Sequence, residues 1–190
     1  MSTAAIVVDV QNDFTEGGSL AVAGGAGVAA AITAHLGSAG YDHVVATRDH
    51  HIDPGSHFAA APDYVATWPA HCVVGTGGVE LHPALDRSLV EAIFDKGEYQ
   101  AAYSGFEGHG PGGVGLADWL RSQGVDAVEV MGIATDHCVA ATALDAVREG
   151  FAVTVRLDLT AGVAATTTVA ALDRMRAAGV TLHGTPVVGP

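Results

Sequence analysis

Positive charge is scarce in this chain of 190 residues. Lysine and arginine together number 8 against 21 aspartates and glutamates, so the formal net charge is −13 with neutral histidine. This charge repels phosphate backbones and anionic membrane surfaces, and no basic patch offers either a binding site. We therefore expect neither nucleic acid nor a membrane among its partners.

Long hydrophobic runs and cysteine are scarce as well. No apolar stretch approaches the roughly 18 residues that a membrane span needs, and the N-terminus lacks the charged start and hydrophobic core of a signal peptide. We expect a cytoplasmic protein. Only Cys72 and Cys138 are present, and in a reducing compartment two cysteines predict no disulfide framework.

Hydrophobic residues make up 49% of the chain, which also contains 25 glycines. This composition and length predict one compact domain over residues 1–190, without repeats or a linker. Strand patterns alternate with helix patterns, which is the βαβ rhythm of an α/β fold. Strands are predicted at about 4–9, 43–48, 92–95, 127–133, 152–157 and 180–183, and helices at about 26–36, 114–123, 137–149 and 165–178. We predict a three-layer α/β/α sandwich with a mostly parallel, Rossmann-like sheet.

Cys138 follows the apolar strand 127–133 at the start of a predicted helix. The unpaired NH groups and the macrodipole of a helix start favour a thiolate, so the thiol pKa can fall below about 8.5 there. Cys138 is thus a candidate nucleophile. The alternative is an inert, packed cysteine, because free cysteine is among the most buried residue types.

Lys96 is the only lysine of the chain, and the other seven basic residues are arginines. A single lysine in a chain that otherwise uses arginine indicates that this position needs a compact ammonium charge. The alternative is a solvated surface lysine. Asp9 ends the β-branched apolar run 4–8 and is a candidate general base for a thiol, or else a turn cap or a structural partner of Lys96.

The stretch from Asp49 to Leu89 is too long for an ordinary connection, so we expect it to carry function. It concentrates possible metal ligands, namely Asp49, His51, His57 and His71. This mixed nitrogen and oxygen set suits zinc, iron or manganese and hardly distinguishes them. Chance clustering among ten histidines is the alternative. In an open parallel sheet ligands bind beyond the carboxyl ends of the strands, where Asp9, Asp49, Lys96 and Cys138 are all expected.

The chain resembles the bacterial nicotinamidases, also called pyrazinamidases, of the isochorismatase-like cysteine hydrolases. The resemblance covers about residues 4–188. Its motifs are Ile6-Val7-Val8-Asp9-Val10-Gln11-Asn12-Asp13-Phe14, Thr47-Arg48-Asp49-His50-His51, Ser56-His57-Phe58, Trp68-Pro69-Ala70-His71-Cys72, Lys96 and Gly132-Ile133-Ala134-Thr135-Asp136-His137-Cys138. No triad or metal position departs from the family pattern.

The resemblance implies a six-stranded parallel sheet, a catalytic triad of Asp9, Lys96 and Cys138, and one divalent metal ion held by Asp49, His51, His57 and His71. It also implies a cis peptide at Ile133-Ala134 and an oxyanion site on the backbone NH groups of Ala134 and Cys138. The pocket walls that it implies are Phe14, Trp68, Tyr103 and His137.

The implied activity is that of an amidohydrolase acting on a linear carboxamide. Nicotinamide would become nicotinate and ammonia through a thioester on Cys138, in NAD salvage, and pyrazinamide would also be a substrate. We expect a monomer or small homo-oligomer. Two alternatives remain at this point: an amidase acting on a carbamoyl or ureido amide, and a metal-holding binding protein whose Cys138 senses oxidants.

Overall fold

The computed structural model describes residues 2–189 and contains a sheet whose strand pairs are all parallel. Its strands are β1 (Ser2–Val8), β2 (His43–Asp49), β3 (Ala92–Lys96), β4 (Val125–Ile133), β5 (Ala152–Gly162), β6 (Thr181–His183) and β7 (Val187–Val188). The order along the sheet is β3-β2-β1-β4-β5-β6, and the short β7 also pairs with β5. The prediction of a mostly parallel sheet is confirmed; β7 is an addition to the six strands expected.

Four α-helices flank the sheet, at the places where the sequence predicts them. They are α1 (Gly25–Ala39), α2 (Leu116–Ser122), α3 (Ala140–Arg148) and α4 (Ala165–Ala177). One difference precedes α3, where residues Thr135–Val139 form a one-turn π-helix instead of regular α-helix. Such π turns occur frequently at functional sites.

The hydrophobic core lies on both faces of the sheet. Side chains alternate along β1, so Ile6 and Val8 pack in one apolar cluster while Ala5 and Val7 pack in the other. The first cluster is covered by α2, α3 and α4, and the second by α1. Because β1 is buried on both faces, its sequence is a continuous apolar run, and the three-layer sandwich is confirmed.

Gly132 allows β4 to approach β1 closely at the centre of the sheet. Its φ of 125° is one that residues with side chains rarely adopt, and an added Cβ would lie 2.7 Å from the backbone nitrogen of Val8. This close approach brings the turn after β4 next to the end of β1.

The connection between β2 and β3 is irregular, as the sequence predicts. Across residues 50–91, all of which the structure describes, the helical elements are three short 3₁₀ turns, at Gly55–His57, Gly77–Val79 and Arg87–Leu89. This connection holds three of the four predicted metal ligands. Within the described part of the chain, no helix has the length and apolarity to cross a membrane.

Candidate active site

The carboxyl ends of four neighbouring strands supply the candidate catalytic residues. Asp9 follows β1, Asp49 ends β2, Lys96 ends β3, and Cys138 lies in the π turn after β4. The strand order β3-β2-β1-β4 makes these ends adjacent, so the four side chains converge at one edge of the sheet. All four residues are buried.

Lys96 lies at the centre of this group. Its ammonium nitrogen is 2.9 Å from Asp9 Oδ2 and 3.7 Å from Cys138 Sγ, and it donates a hydrogen bond to the carbonyl of Ala102 at 3.2 Å. Ligand atoms of Asp9, Asp49 and Cys138 all lie within 4.8 Å of one another. The structure thus brings together the base, cation and nucleophile that the sequence predicts.

Lys96 also makes an ion pair with Asp49. From the sequence, Asp49 is expected to bind the metal and Lys96 to belong to the triad, and a contact between them is not expected. Asp49 therefore joins the two groups, since its Oδ1 faces Lys96 while its Oδ2 faces His51 and His71 at 3.6 and 3.7 Å.

Two features hold Asp9 in place. The hydroxyl of Thr47 on β2 donates a hydrogen bond of 2.6 Å to Asp9 Oδ1, and this contact is buried. The backbone of Asp9 has a φ of 48°, a left-handed conformation that is uncommon outside glycine. Together they turn the carboxylate from the end of β1 toward Lys96.

The protonation of the site differs from the expectation based on the helix start. Burial raises the pKa of the Cys138 thiol well above its ordinary value; Lys96 opposes this, while Asp9 and Asp49 add to it. The expected low thiol pKa is therefore wrong for this state of the site, because desolvation and two carboxylates outweigh one ammonium and the helix start.

The two carboxylates beside Lys96 have pKa values shifted in opposite directions. Burial raises the pKa of Asp9, although Lys96 lowers it, whereas Lys96 and the neighbouring imidazoles overcome burial to hold the pKa of Asp49 well below its ordinary value. Burial lowers the pKa of Lys96, but Asp49 and Asp9 outweigh it and keep that pKa well raised. A protonated thiol beside a carboxylate of raised basicity is the arrangement that general-base activation needs.

The predicted metal ligands also converge. Nitrogen atoms of His51, His57 and His71 lie within 4.8 Å of one another, and all three residues are buried. Asp49 Oδ2 lies beside two of them, as given above. The four side chains thus form one cluster, although they are spread over 23 positions of the sequence from Asp49 to His71.

The surroundings of these histidines fit a metal ion. His51 Nδ1 donates to the carbonyl of Gly97 at 2.6 Å and His71 Nδ1 to that of Pro69 at 2.8 Å, which leaves each Nε2 as an acceptor facing Asp49. His51 Nε2 and His57 Nδ1 are buried without a hydrogen-bond partner. Burial and its two neighbouring imidazoles lower the pKa of His57 to about 4, so it is neutral near pH 7.

The turn that carries Cys138 begins with a cis peptide at Ile133-Ala134, as the resemblance implies. The carbonyl of Ala134 accepts hydrogen bonds from the NH groups of His137 and Val139, both at 3.1 Å. These bonds close the π turn on Ala134, and both Ala134 and Cys138 line the same cavity.

A cavity of about 260 Å³ opens next to Cys138 and is lined mostly by apolar side chains. The four predicted wall residues, Phe14, Trp68, Tyr103 and His137, all line it, together with Ala134. Trp68 Nε1 donates to the Tyr103 hydroxyl at 3.0 Å, and the rings of Trp68 and His137 meet edge to face. His71 of the histidine cluster borders the same space.

Part of the lining is not predicted from the sequence, namely Leu20, Ala21, Val22, Tyr64, Ile133 and Val163. Ile133 ends the strand that the sequence predicts and could have been found from it, whereas Val163 follows an unpredicted extension of β5 to Gly162. Cys72 does not line the cavity, is fully buried, and has a thiol pKa that burial raises.

The chain is similar to known proteins over nearly its whole length. The Isochorismatase domain family matches residues 3–186. The chain is 62% identical over 180 residues to the nicotinamidase/pyrazinamidase of Mycobacterium tuberculosis, covering 94% of this chain and 97% of that protein.

Solved structures are similar over the whole fold. The pyrazinamidase of Pyrococcus horikoshii in complex with zinc has a TM-score of 0.82 and 36% identity, covering 96% of this chain and 98% of that one. PnC1 from L. infantum in complex with nicotinate has a TM-score of 0.86 and 35% identity. The match covers 99% of this chain and 96% of that one.

Proposed function

The chain belongs to the isochorismatase family, and from this premise we propose that it is a nicotinamidase that also hydrolyses pyrazinamide. It converts nicotinamide to nicotinate and ammonia, as its relatives' names indicate, and thereby serves NAD salvage. The observation that carries the proposal is the buried contact of Lys96 with Asp9 and Cys138 beside an apolar, aromatic-lined cavity. Such a cavity suits a flat, neutral aromatic amide.

In the first half-reaction Asp9 accepts the proton of the Cys138 thiol. The thiolate sulfur then bonds to the amide carbonyl carbon, and the carbonyl π electrons move to its oxygen. Asp9 returns the proton to the amide nitrogen, the C–N bond breaks, and ammonia leaves a thioester on Cys138. Lys96 remains protonated and holds the charge of Asp9, for which its 2.9 Å distance is evidence.

The negative oxygen of the tetrahedral species needs hydrogen-bond donors. We assign this role to the backbone NH groups of Ala134 and Cys138, two residues that line the cavity. A donor of this kind contributes about 3 kcal/mol to the stabilisation of the transition state.

In the second half-reaction water attacks the thioester. Asp9 takes one proton from the water while the water oxygen bonds to the carbonyl carbon. The C–S bond then breaks and nicotinic acid leaves, losing its remaining proton to solvent to become nicotinate. The proton on Asp9 then returns to sulfur, which restores the starting state. Asp9 acts twice, and its position between Thr47 and Lys96 keeps the carboxylate in place through both steps.

The substrate ring is assigned to the space between Phe14, Trp68, Tyr103 and His137. We propose that Asp49, His51, His57 and His71 hold one divalent ion, of which zinc, iron and manganese fit the donors. A bound ion would supply a Lewis acid for the pyridine nitrogen, and the four residues that hold it would thereby orient the ring. The zinc bound to the Pyrococcus relative supports a divalent metal.

The remaining expectations are also proposals. We propose one domain over residues 1–190 and a cytoplasmic enzyme, acting as a monomer or a small homo-oligomer on small-molecule substrates, without nucleic-acid or membrane partners. The net charge of −13 supports the last of these.

Ammonia release by metal-analysed protein tests the proposal. Nicotinamide and pyrazinamide should both release stoichiometric ammonia, and Cys138→Ser should release none beyond background. Ureido and carbamoyl amides should be poor substrates, because they do not offer a ring nitrogen to the histidine cluster. Turnover of ureido amides alone would favour the sister amidase, and no turnover of any amide would favour a redox-sensing binding protein.

A further inference from the structure

Asp136 is a buried carboxylate for which the reaction has no use. Its side chain is fully buried, and it lies two residues before Cys138 in the π turn. In the sequence, Asp136 is one position of the motif around Cys138, and no role is predicted for it. A charged group is rarely buried unless it is hydrogen-bonded, so the partners of Asp136 indicate its role.

All partners of this carboxylate lie near the start of α4. Asp136 Oδ1 accepts a hydrogen bond from the backbone NH of Val163 at 2.9 Å, and Oδ2 accepts one from the NH of Ala164 at 3.3 Å. The hydroxyl of Thr167 donates to Oδ2 at 2.5 Å. His137 Nε2 lies 4.0 Å from the same oxygen.

These hydrogen bonds hold the two residues that connect β5 to α4. β5 ends at Gly162 and α4 begins at Ala165, so Val163 and Ala164 lie between two regular elements. Both of their backbone NH groups point to Asp136. Ala164 occupies the N-cap position of α4 and has no side chain that can cap the helix, and Asp136 supplies the acceptor from a distant part of the chain.

The same link forms part of the substrate cavity. Val163 lines the cavity near Cys138, yet it is 47% exposed, which places it at the mouth instead of the floor. Packing alone therefore holds this side chain weakly. The backbone NH of Val163 donates a hydrogen bond to Asp136, which lies in the same turn as Cys138. This bond therefore holds Val163, at the mouth of the cavity, in a fixed position relative to the nucleophile.

We propose that Asp136 is a positioning residue that fixes Val163 at the cavity mouth and so limits the size of ring substituents that the enzyme accepts. This inference rests on the proposed nicotinamidase function. A purely structural role, such as capping α4, differs in its consequence: it reduces turnover of all substrates by one common factor.

The experiment compares nicotinamide with ring-methylated nicotinamides and measures the ratio of their kcat/KM values. Asp136→Asn retains the shape of the side chain but replaces one acceptor oxygen with a donor that opposes the NH groups of the link. A methyl group in an apolar pocket changes discrimination by about tenfold or more, so Asp136→Asn should raise the ratio for at least one methylated ring by about tenfold. Val163→Ala, which removes the wall directly, should raise the same ratio.

Thr167 provides a matched pair of variants. Thr167→Val removes the hydroxyl and should raise the ratio for the same substrate, by roughly threefold because two of the three hydrogen bonds persist. Thr167→Ser keeps the hydroxyl and should match wild type. Asp173→Asn, a carboxylate-to-amide change at an exposed site on the same helix, should also match wild type. Alkylation of Cys138 by iodoacetamide should stay unchanged in Thr167→Val, since the nucleophile turn keeps its own bonds.

Three results would contradict the positioning role of Asp136. Equal loss on all substrates in Asp136→Asn and Thr167→Val, or a ratio unchanged in Val163→Ala, would overturn the proposal, as would a fall in Cys138 alkylation that matches the loss of turnover. If Asp136→Asn does not fold, the Thr167 pair decides. Wild-type turnover of nicotinamide tests the proposed function by itself, so its failure is distinguishable from failure of this inference.

Discussion

Lys96 is the residue whose surroundings explain most about the site. Its side chain is fully buried, and it contacts two carboxylates, one thiol and one carbonyl oxygen. Burying a charge costs several kcal/mol unless partners compensate. The lysine is therefore retained in a chain that otherwise uses arginine, because a compact ammonium fits between Asp9, Asp49 and Cys138 and a planar guanidinium does not.

Substitution of Lys96 tests this interpretation. Lys96→Ala leaves two buried carboxylates without a countercharge, so we expect nearly complete loss of amide hydrolysis and slower alkylation of Cys138 at neutral pH. It should also lower the free energy of unfolding by about 3–5 kcal/mol. Lys96→Arg should be poorly active as well, because its larger head group displaces Asp9. Steady-state kinetics, iodoacetamide alkylation and urea unfolding measure these effects; a fully active arginine variant would show that the lysine has no special role.

The two cysteines allow a direct comparison of nucleophile and packing residue. Cys138→Ala should lower kcat by at least roughly a thousandfold, because it removes the group that forms the covalent intermediate. Cys72→Ala should retain most activity, because Cys72 does not line the cavity. Ammonia release and mass spectrometry of trapped protein provide the measurements. A nicotinoyl adduct on Cys72 is the result that would falsify the assignment.

The connection between β2 and β3 supplies three of the four proposed metal ligands without an α-helix or a strand of its own. The parallel bridge between His51 and Val73 and that between Phe58 and Trp68 hold its two halves together. Gly97, just after β3, has a φ of 77°, and a Cβ there would lie 2.7 Å from the His51 ring. This glycine lets the backbone come close enough for its carbonyl to orient His51.

Removal of the metal should therefore affect binding of the ring more than reactivity of the thiol. Chelation, or His51→Ala combined with His57→Ala, should abolish tight metal binding and raise KM for nicotinamide at least about tenfold, with a smaller effect on Cys138 alkylation. His82→Ala in the same connection should retain both metal and activity. Elemental analysis measures the bound metal, steady-state kinetics measures KM for nicotinamide, and the alkylation rate measures the reactivity of Cys138.

Benzamide gives a second test of the same cluster. It keeps the carboxamide but lacks the ring nitrogen, so it should be a poor substrate for the metal-loaded enzyme. Equal hydrolysis of benzamide and nicotinamide, or full nicotinamide turnover by metal-free protein, would leave the ion with a structural role only.

The whole molecule is stabilised by apolar packing on both faces of one sheet. On α4, Met175 is fully buried in the cluster shared with α2 and α3, whereas Val169 is 58% exposed. The same helix thus contains a core position and a solvent position six residues apart.

This difference predicts a contrast in stability. Met175→Ala should lower the free energy of unfolding by about 2–5 kcal/mol, because it removes buried methylene groups and leaves a cavity. Val169→Ala should change it by less than about 0.5 kcal/mol. Urea unfolding followed by circular dichroism measures both. Similar losses in the two variants would contradict the packing of α4 described above.

Most of the fold could be predicted from the sequence because its strands are buried on both faces. Such strands appear as continuous apolar runs, and glycines mark the helix ends, so all four helices and six of the seven strands lie where expected. The extension of β5 to Gly162 and the short β7 could not be predicted, because neither has a strong periodic pattern of its own.

The candidate site, like the fold, could be predicted from the sequence only in part. Local sequence identifies Asp9 at the end of an apolar run, Lys96 as the only lysine, and Cys138 at the start of a predicted helix after an apolar strand. Strand order, which depends on how the helices pack across the sheet, decides that these three residues meet and that Lys96 touches Asp49. The raised thiol pKa of Cys138 and the hydrogen bond that the Val163 NH donates to Asp136 likewise follow from tertiary structure alone, because burial, charge and hydrogen bonding act between groups that are far apart in the chain.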